Sequence, residues 1–235
     1  MLAPVTAAVS RWRRARVFHP DGVSYEASVT MDASTPTEFR DLAKRLSGPA
    51  LARFSGALWR RGVELPDVLG LALRFTRADR PSVDALADDQ DLLLATMRSP
   101  LTIGVAAFST NVHDYARNRF WGACPYDVGL KRAVKFRLSP QHGGVDSHLP
   151  RDERLADAVK ANESVWRLEI RHTFARRYQP LAIVTLKARA RLDDESLRFS
   201  PFRSGRGVFP RGYIQAIRRA TYASSQLARP NSSAP

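Results

Sequence analysis

Seven runs along this chain carry strand signals, several with apolar and polar residues alternating with a period of two, the pattern of strands that bury one face. Such runs occupy Tyr25–Met31, Ala50–Ala57, Leu69–Thr76, Asp91–Thr96, Arg132–Ser139, Val165–Thr173 and Leu181–Leu192. Within Val165–Arg171 the alternation puts Val165, Arg167, Glu169 and Arg171 on one face, and Trp166, Leu168 and Ile170 on an apolar opposite face. Helical periodicity interrupts the strands at Thr37–Leu46, Leu101–Arg119, Arg151–Asn162 and Arg211–Ala228. Pro and Gly punctuate the connections at Pro20-Asp21-Gly22, Gly48-Pro49, Gly143-Gly144 and from Pro201 to Pro210. Strands in this order with helices between them predict an α+β fold. Its centre is an antiparallel β-barrel of about eight strands with inserted and C-terminal helices.

At 235 residues the chain can bury a full core. Residues 1–15 read as an N-terminal arm, 16–229 as one domain, and 230–235 as a disordered tail. No apolar run approaches the roughly 20 residues of a membrane span. One cysteine, Cys124, excludes an internal disulfide and a cysteine-based metal site; it fits a reducing cytoplasm. The net charge of +14 is nearly all arginine, 32 of the 37 basic residues. These arginines are scattered, and no stacking or groove-reading motif accompanies them. The expectation is general attraction to anions rather than a specific nucleic-acid partner. The acidic run Asp193-Asp194-Glu195 follows a strand and reads as a solvated turn.

The C-terminal helical pattern carries the first chemistry. At about 100° per residue, Arg218, Tyr222, Gln226 and Arg229 share an arc of roughly 80°. An arginine one turn before a tyrosine favours the phenolate, and a phenolate is a ligand that holds ferric haem iron. Upstream stand three further motifs. Arg16-Val17-Phe18-His19-Pro20-Asp21-Gly22 precedes the first strand, Arg53-Phe54-Ser55 lies in the second, and Asp67 through Phe75 reads Asp-x-x-Gly-x-Ala-x-x-Phe.

In this order and at these separations, the four motifs resemble the haem-binding core of the catalases. The resemblance runs from Arg16 to Arg229. It is dense over residues 16–94, thin over 100–210, and short but well spaced at 218–229. It implies haem b, with iron held by Tyr222 and Arg218 donating to the phenolate. It implies His19 as the distal acid–base, oriented by Ser55, and Arg16, Arg53 and Arg229 on the propionates. The implied activity is reduction of organic hydroperoxides or hydrogen peroxide with a reducing co-substrate. Phe108 is a candidate for lining the distal pocket.

Several positions depart from the family. Its distal asparagine has no counterpart in Leu94–Pro100, where Thr96, Arg98 and Ser99 are candidates for the role. This argues for weak or absent dismutation. Proline follows His19, Asp21 stands where the family has a basic residue, and Gln226 replaces a histidine. The family's C-terminal helical region and wrapping arm have no counterpart in this sequence, which implies a minimal catalase fold and a homodimer rather than the large tetramer. Two alternatives stay open. One is isomerisation or cleavage of fatty-acid hydroperoxides on the same fold; the other is a non-enzymatic barrel that binds a hydrophobic ligand.

Overall fold

A computed structural model describes residues 21–59, 63–79, 82–99, 102–122, 124–129, 133–143, 148–194 and 196–211. Strand β1 (Val23–Met31) leads through a 3-10 turn (Thr37–Phe39) into α1 (Arg40–Leu46). Then come β2 (Gly48–Gly56), β3 (Leu69–Phe75), β4 (Gln90–Ala95) and the short α2 (Ile103–Ser109). A second 3-10 turn (Tyr115–Arg117) precedes β5 (Phe120–Gly122), β6 (Tyr126–Asp127) and β7 (Val134–Pro140). The remaining elements are α3 (Arg151–Lys160), β8 (Val165–His172), β9 (Gln179–Arg189) and β10 (Phe209–Pro210).

Every strand pairing is antiparallel. The strands run in the spatial order β7-β5-β4-β3-β2-β1-β9-β8, and β7 also pairs with β8. That last seam, from Val134↔His172 to Pro140↔Trp166, closes an eight-stranded barrel. Strands β6 and β10 extend the sheet from β7 outside the closed ring. The expected α+β barrel of about eight strands is therefore the observed architecture.

The period of two explains what fills the barrel. Val23, Tyr25, Ala27 and Val29 of β1 point into the lumen, as do Ala50, Ala52 and Phe54 of β2, and Leu69, Leu71, Leu73 and Phe75 of β3. Phe54 is the hub. Its ring lies 5.0 Å from Tyr115, 5.7 Å from Trp166 and 6.1 Å from Phe120, in tilted or edge arrangements. The lumen is thus packed core rather than channel, as eight strands dictate. The alternation read in Val165–Arg171 holds: Trp166, Leu168 and Ile170 are buried, and their neighbours are half-buried.

The sequence reading differs from the structure in the middle of the chain. A helix over Leu101–Arg119 is expected; α2 ends at Ser109. Side chains take over the backbone partners that a continuing helix would need. The Thr110 hydroxyl donates back to the Ala106 carbonyl at 2.7 Å. The Asp114 carboxylate accepts from the Ala116 N–H at 2.8 Å, and the Asn118 amide donates to the carbonyls of Asn111 and Asp114 at 2.7 and 2.6 Å. The eighth barrel strand, β5, follows at once and is three residues long. The expected helix Arg211–Ala228 lies, after Arg211, outside the described residues, and so do the N-terminal arm and the tail.

Replacing Phe54 by alanine is expected to cost about 3–5 kcal/mol, because three aromatic rings lose their shared neighbour. Phe174→Ala, at a position 97% exposed, should stay within about 0.5 kcal/mol of the parent. Urea unfolding midpoints of the two variants measure the contrast.

Candidate functional site

The outer face of β1–β4 collects the polar residues that the lumen rejects. Strand register lines them up in rows across the sheet. One row runs Glu26–Leu51–Arg74–Asp91, and the next Ser24–Arg53–Ala72–Leu93. A third runs Ser55–Gly70–Ala95. The face therefore grades from charged at one end to small and weakly polar at the other.

The charged end is closed by the chain itself. Asp91 is fully buried; its carboxylate accepts from the Arg74 Nε–H at 3.1 Å and the Ser200 N–H at 2.8 Å, and also pairs with Arg203. Burial pushes the Asp91 carboxyl above its ordinary range, against the pull of Arg74, Arg203 and the Ser200 N–H. The Arg74 guanidinium lies 4.9 Å from the centre of the Phe199 ring and donates to the Arg198 carbonyl. The Gln90 side chain then holds the Arg203 and Val208 carbonyls, at 2.7 and 3.1 Å. Residues 197–208 are thereby strapped to the edge of this face.

Arg53 and Ser55 are the sequence-predicted site residues within the described structure. Both are buried, and both face outward from β2, with Phe54 between them pointing into the lumen. Ser55 belongs to the row with Gly70 and Ala95. Gly22 lies against Arg53: a Cβ there would come within 2.7 Å of the Arg53 Cζ and 2.5 Å of the Phe54 carbonyl oxygen, so a larger residue would displace the guanidinium. His19, Arg16, Arg218, Tyr222 and Arg229 lie outside the described residues.

Arg53 is not waiting for a counter-ion. Its Nε–H and Nη2–H donate to the two carboxylate oxygens of Asp194 at 2.5 and 2.8 Å, a bidentate fork. The reading of residues 193–195 as a solvated turn is refined at Asp194, which lies in a turn but pairs with Arg53; Asp193 is exposed, and Glu195 lies outside the described residues. A buried guanidinium is costly without a partner, and Asp194 supplies one from 141 positions away in sequence. No local pattern could have signalled it.

The distal candidates separate. Thr96 is buried, and its hydroxyl accepts the Leu69 N–H at 3.0 Å. It stands 2.7 Å from the Thr110 hydroxyl, which is already donating to Ala106, so the Thr96 proton goes to Thr110. Thr96 is a fastener of the β3–β4–α2 junction. Arg98 is exposed and stacks on Trp121 at 5.2 Å. Phe108, expected as a pocket-lining residue, is instead 82% exposed. Tyr115 offers no second phenolate: burial and the nearby Asp152 push its phenol up, outweighing Arg151.

Rows two and three suit a flat, largely apolar group. Ala72 and Ala95 are half-buried, Gly70 has no side chain, and the buried Ser24 hydroxyl has no hydrogen-bond partner among the described residues. Arg53, between Ser24 and Ala72 in its row, has the chemistry for a carboxylate, and Asp194 already engages it. In side-chain type the described residues are compatible with a haem: small residues for its plane, and one guanidinium whose partner a propionate would have to displace. Among the described residues no cluster of three or more His, Cys, Asp or Glu is placed to hold a metal ion, and no helix is long and apolar enough to cross a membrane.

No protein-family model and no curated protein sequence matches this chain. Solved structures do. A bacterial catalase superposes with a TM-score of 0.62 at 14% identity, covering 94% of this chain and 59% of its own. A fungal catalase gives 0.61 at 12% identity, covering 94% and 60%. The chain spans about three-fifths of the length of these proteins.

Asp194→Asn should lower stability by about 1–3 kcal/mol, less than for a fully buried pair because the carboxylate is partly hydrated. Replacing both partners, Arg53→Met with Asp194→Leu, should recover most of the loss. Thermal unfolding of the parent and the two variants measures this.

Proposed function

The fold is catalase-like, and from that premise we propose that the chain is a haem-dependent peroxidase acting on organic hydroperoxides or hydrogen peroxide, with weak or no dismutation. The observation that carries the reading is the set of small residues Ser24, Ala72, Ser55, Gly70 and Ala95 on the outer face of β1–β4, with Arg53 between Ser24 and Ala72. The motif order from Arg16 to Arg229 supports it from the sequence side.

In this reading Tyr222 would hold the iron as a phenolate, which the Arg218 guanidinium, four residues earlier in sequence, would favour. Arg16, Arg53 and Arg229 take the propionates. Haem b, when bound, would supply the two electrons for peroxide O–O cleavage and would regain them from the external reducing co-substrate. His19 takes a proton from the peroxide oxygen nearest the haem and delivers it to the outer oxygen, so that water or an alcohol leaves. Ser55 orients the imidazole. The commitment of the Thr96 hydroxyl to Leu69 and Thr110 leaves it no role in positioning peroxide, which favours reduction by an external donor over dismutation. We place the protein in the cytoplasm as a homodimer. Fatty-acid hydroperoxide isomerisation on the same fold is separated by product analysis with and without a reducing co-substrate.

The purified chain titrated with ferric haemin should develop a Soret band with a high-spin tyrosinate charge-transfer pattern, and Tyr222→Phe should lose that pattern. An identical spectrum in the variant would show that Tyr222 is not the ligand. His19→Ala should keep the spectrum but slow peroxide consumption by about 10²–10⁴-fold, measured by stopped flow.

A further inference from the structure

Antiparallel pairing brings the β2–β3 and β4–β5 connections to the same end of the barrel. They are fastened together there: the His113 Nδ1 lies 2.6 Å from a Glu64 carboxylate oxygen, and Thr96 links to Leu69 and Thr110. These two connections supply six of the eleven large hydrophobic side chains exposed among the described residues: Leu58, Trp59, Val63, Leu65, Val105 and Phe108. Val105 and Phe108, both on α2, are 74% and 82% exposed. Scattered single apolar residues are ordinary on a surface; a concentration of this kind marks an interaction site.

The carboxylates at this end, Glu64 and Asp114, already have partners in His113 and Arg117, and the charge lining the adjacent cavity has one sign. Beside α2 opens a cavity of about 650 Å³ whose wall includes Arg98, Arg117, Arg119 and Trp121, and no carboxylate is among its lining residues. The three arginines are exposed; Arg117 also faces Asp114 at 3.8 Å. A second copy docking through this face by a two-fold axis would set these arginines against themselves. A partner with dense negative charge over an apolar interior meets both features.

We propose that this end of the barrel docks on an anionic lipid bilayer. Trp59, Val105 and Phe108 enter the boundary between headgroups and acyl chains, and Arg98, Arg117 and Arg119 pair with lipid phosphates. The inference does not depend on haem.

The test is flotation of the full chain with phosphatidylcholine vesicles and with vesicles containing phosphatidylglycerol. The chain should float with the anionic vesicles and be released by salt. Val105→Ser with Phe108→Ser, and separately Arg98→Gln with Arg119→Gln, should each weaken binding by about 10- to 100-fold. All these positions are exposed, and an unchanged unfolding midpoint confirms folding. Arg176→Gln with Arg177→Gln, exposed at the opposite end, should change binding by less than about twofold. An equal loss in that control would reduce the effect to diffuse net charge and overturn the proposal. So would equal binding to neutral vesicles, absence of binding, or a dimer in solution that the Val105/Phe108 pair dissolves.

Discussion

Closure of the barrel is the constraint from which the rest follows. Once β7 joins β8 from Val134↔His172 to Pro140↔Trp166, the ring has no free edge and its interior has one size. That interior accommodates side chains and nothing more. Phe54, Tyr115, Phe120 and Trp166 occupy it, and the Arg151 guanidinium stands over the Tyr115 ring at 5.7 Å. Any chemistry must then lie on the outer faces or at the ends. Closure also fixes register. Arg74 stands opposite Asp91 in the register that also pairs Leu73 with Leu92 inside; a slip of one residue would turn both leucines outward.

The Arg-Phe-Ser tripeptide shows what register adds to a motif. Its middle residue is structural, the hub of the aromatic core, and its outer residues face the opposite side of the sheet. The spacing of two between Arg53 and Ser55 is the spacing of adjacent rows on one face. Two chemically distinct groups are thereby placed on a plate whose other members are small.

The alternation made most of the barrel legible, because a strand buried on one face writes that face into its sequence. The three shortest strands escaped for the same reason in reverse. β6 and β10 have two residues each and β5 has three, too few to show a period. The helix over Leu101–Arg119 was overdrawn because Asp114 and Asn118 are helix-compatible in composition but bond to nearby backbone instead. The rows on the outer face depend on pairings between strands, which periodicity does not encode. Least legible of all was Asp194, whose partner lies across the fold.

That pairing changes the energetics of the plate. An empty guanidinium fork would offer an incoming carboxylate the full gain of a charge-assisted, bidentate contact. A fork already held by Asp194 offers only the difference between two similar pairings, less the cost of freeing the aspartate. The internal carboxylate lets Arg53 be buried in the free chain without an uncompensated charge, and it does so by weakening whatever carboxylate arrives from outside. A carboxylate-bearing ligand at this face, as proposed, would therefore depend more on the small residues beside Arg53, and on contacts to its other side, than on Arg53 alone.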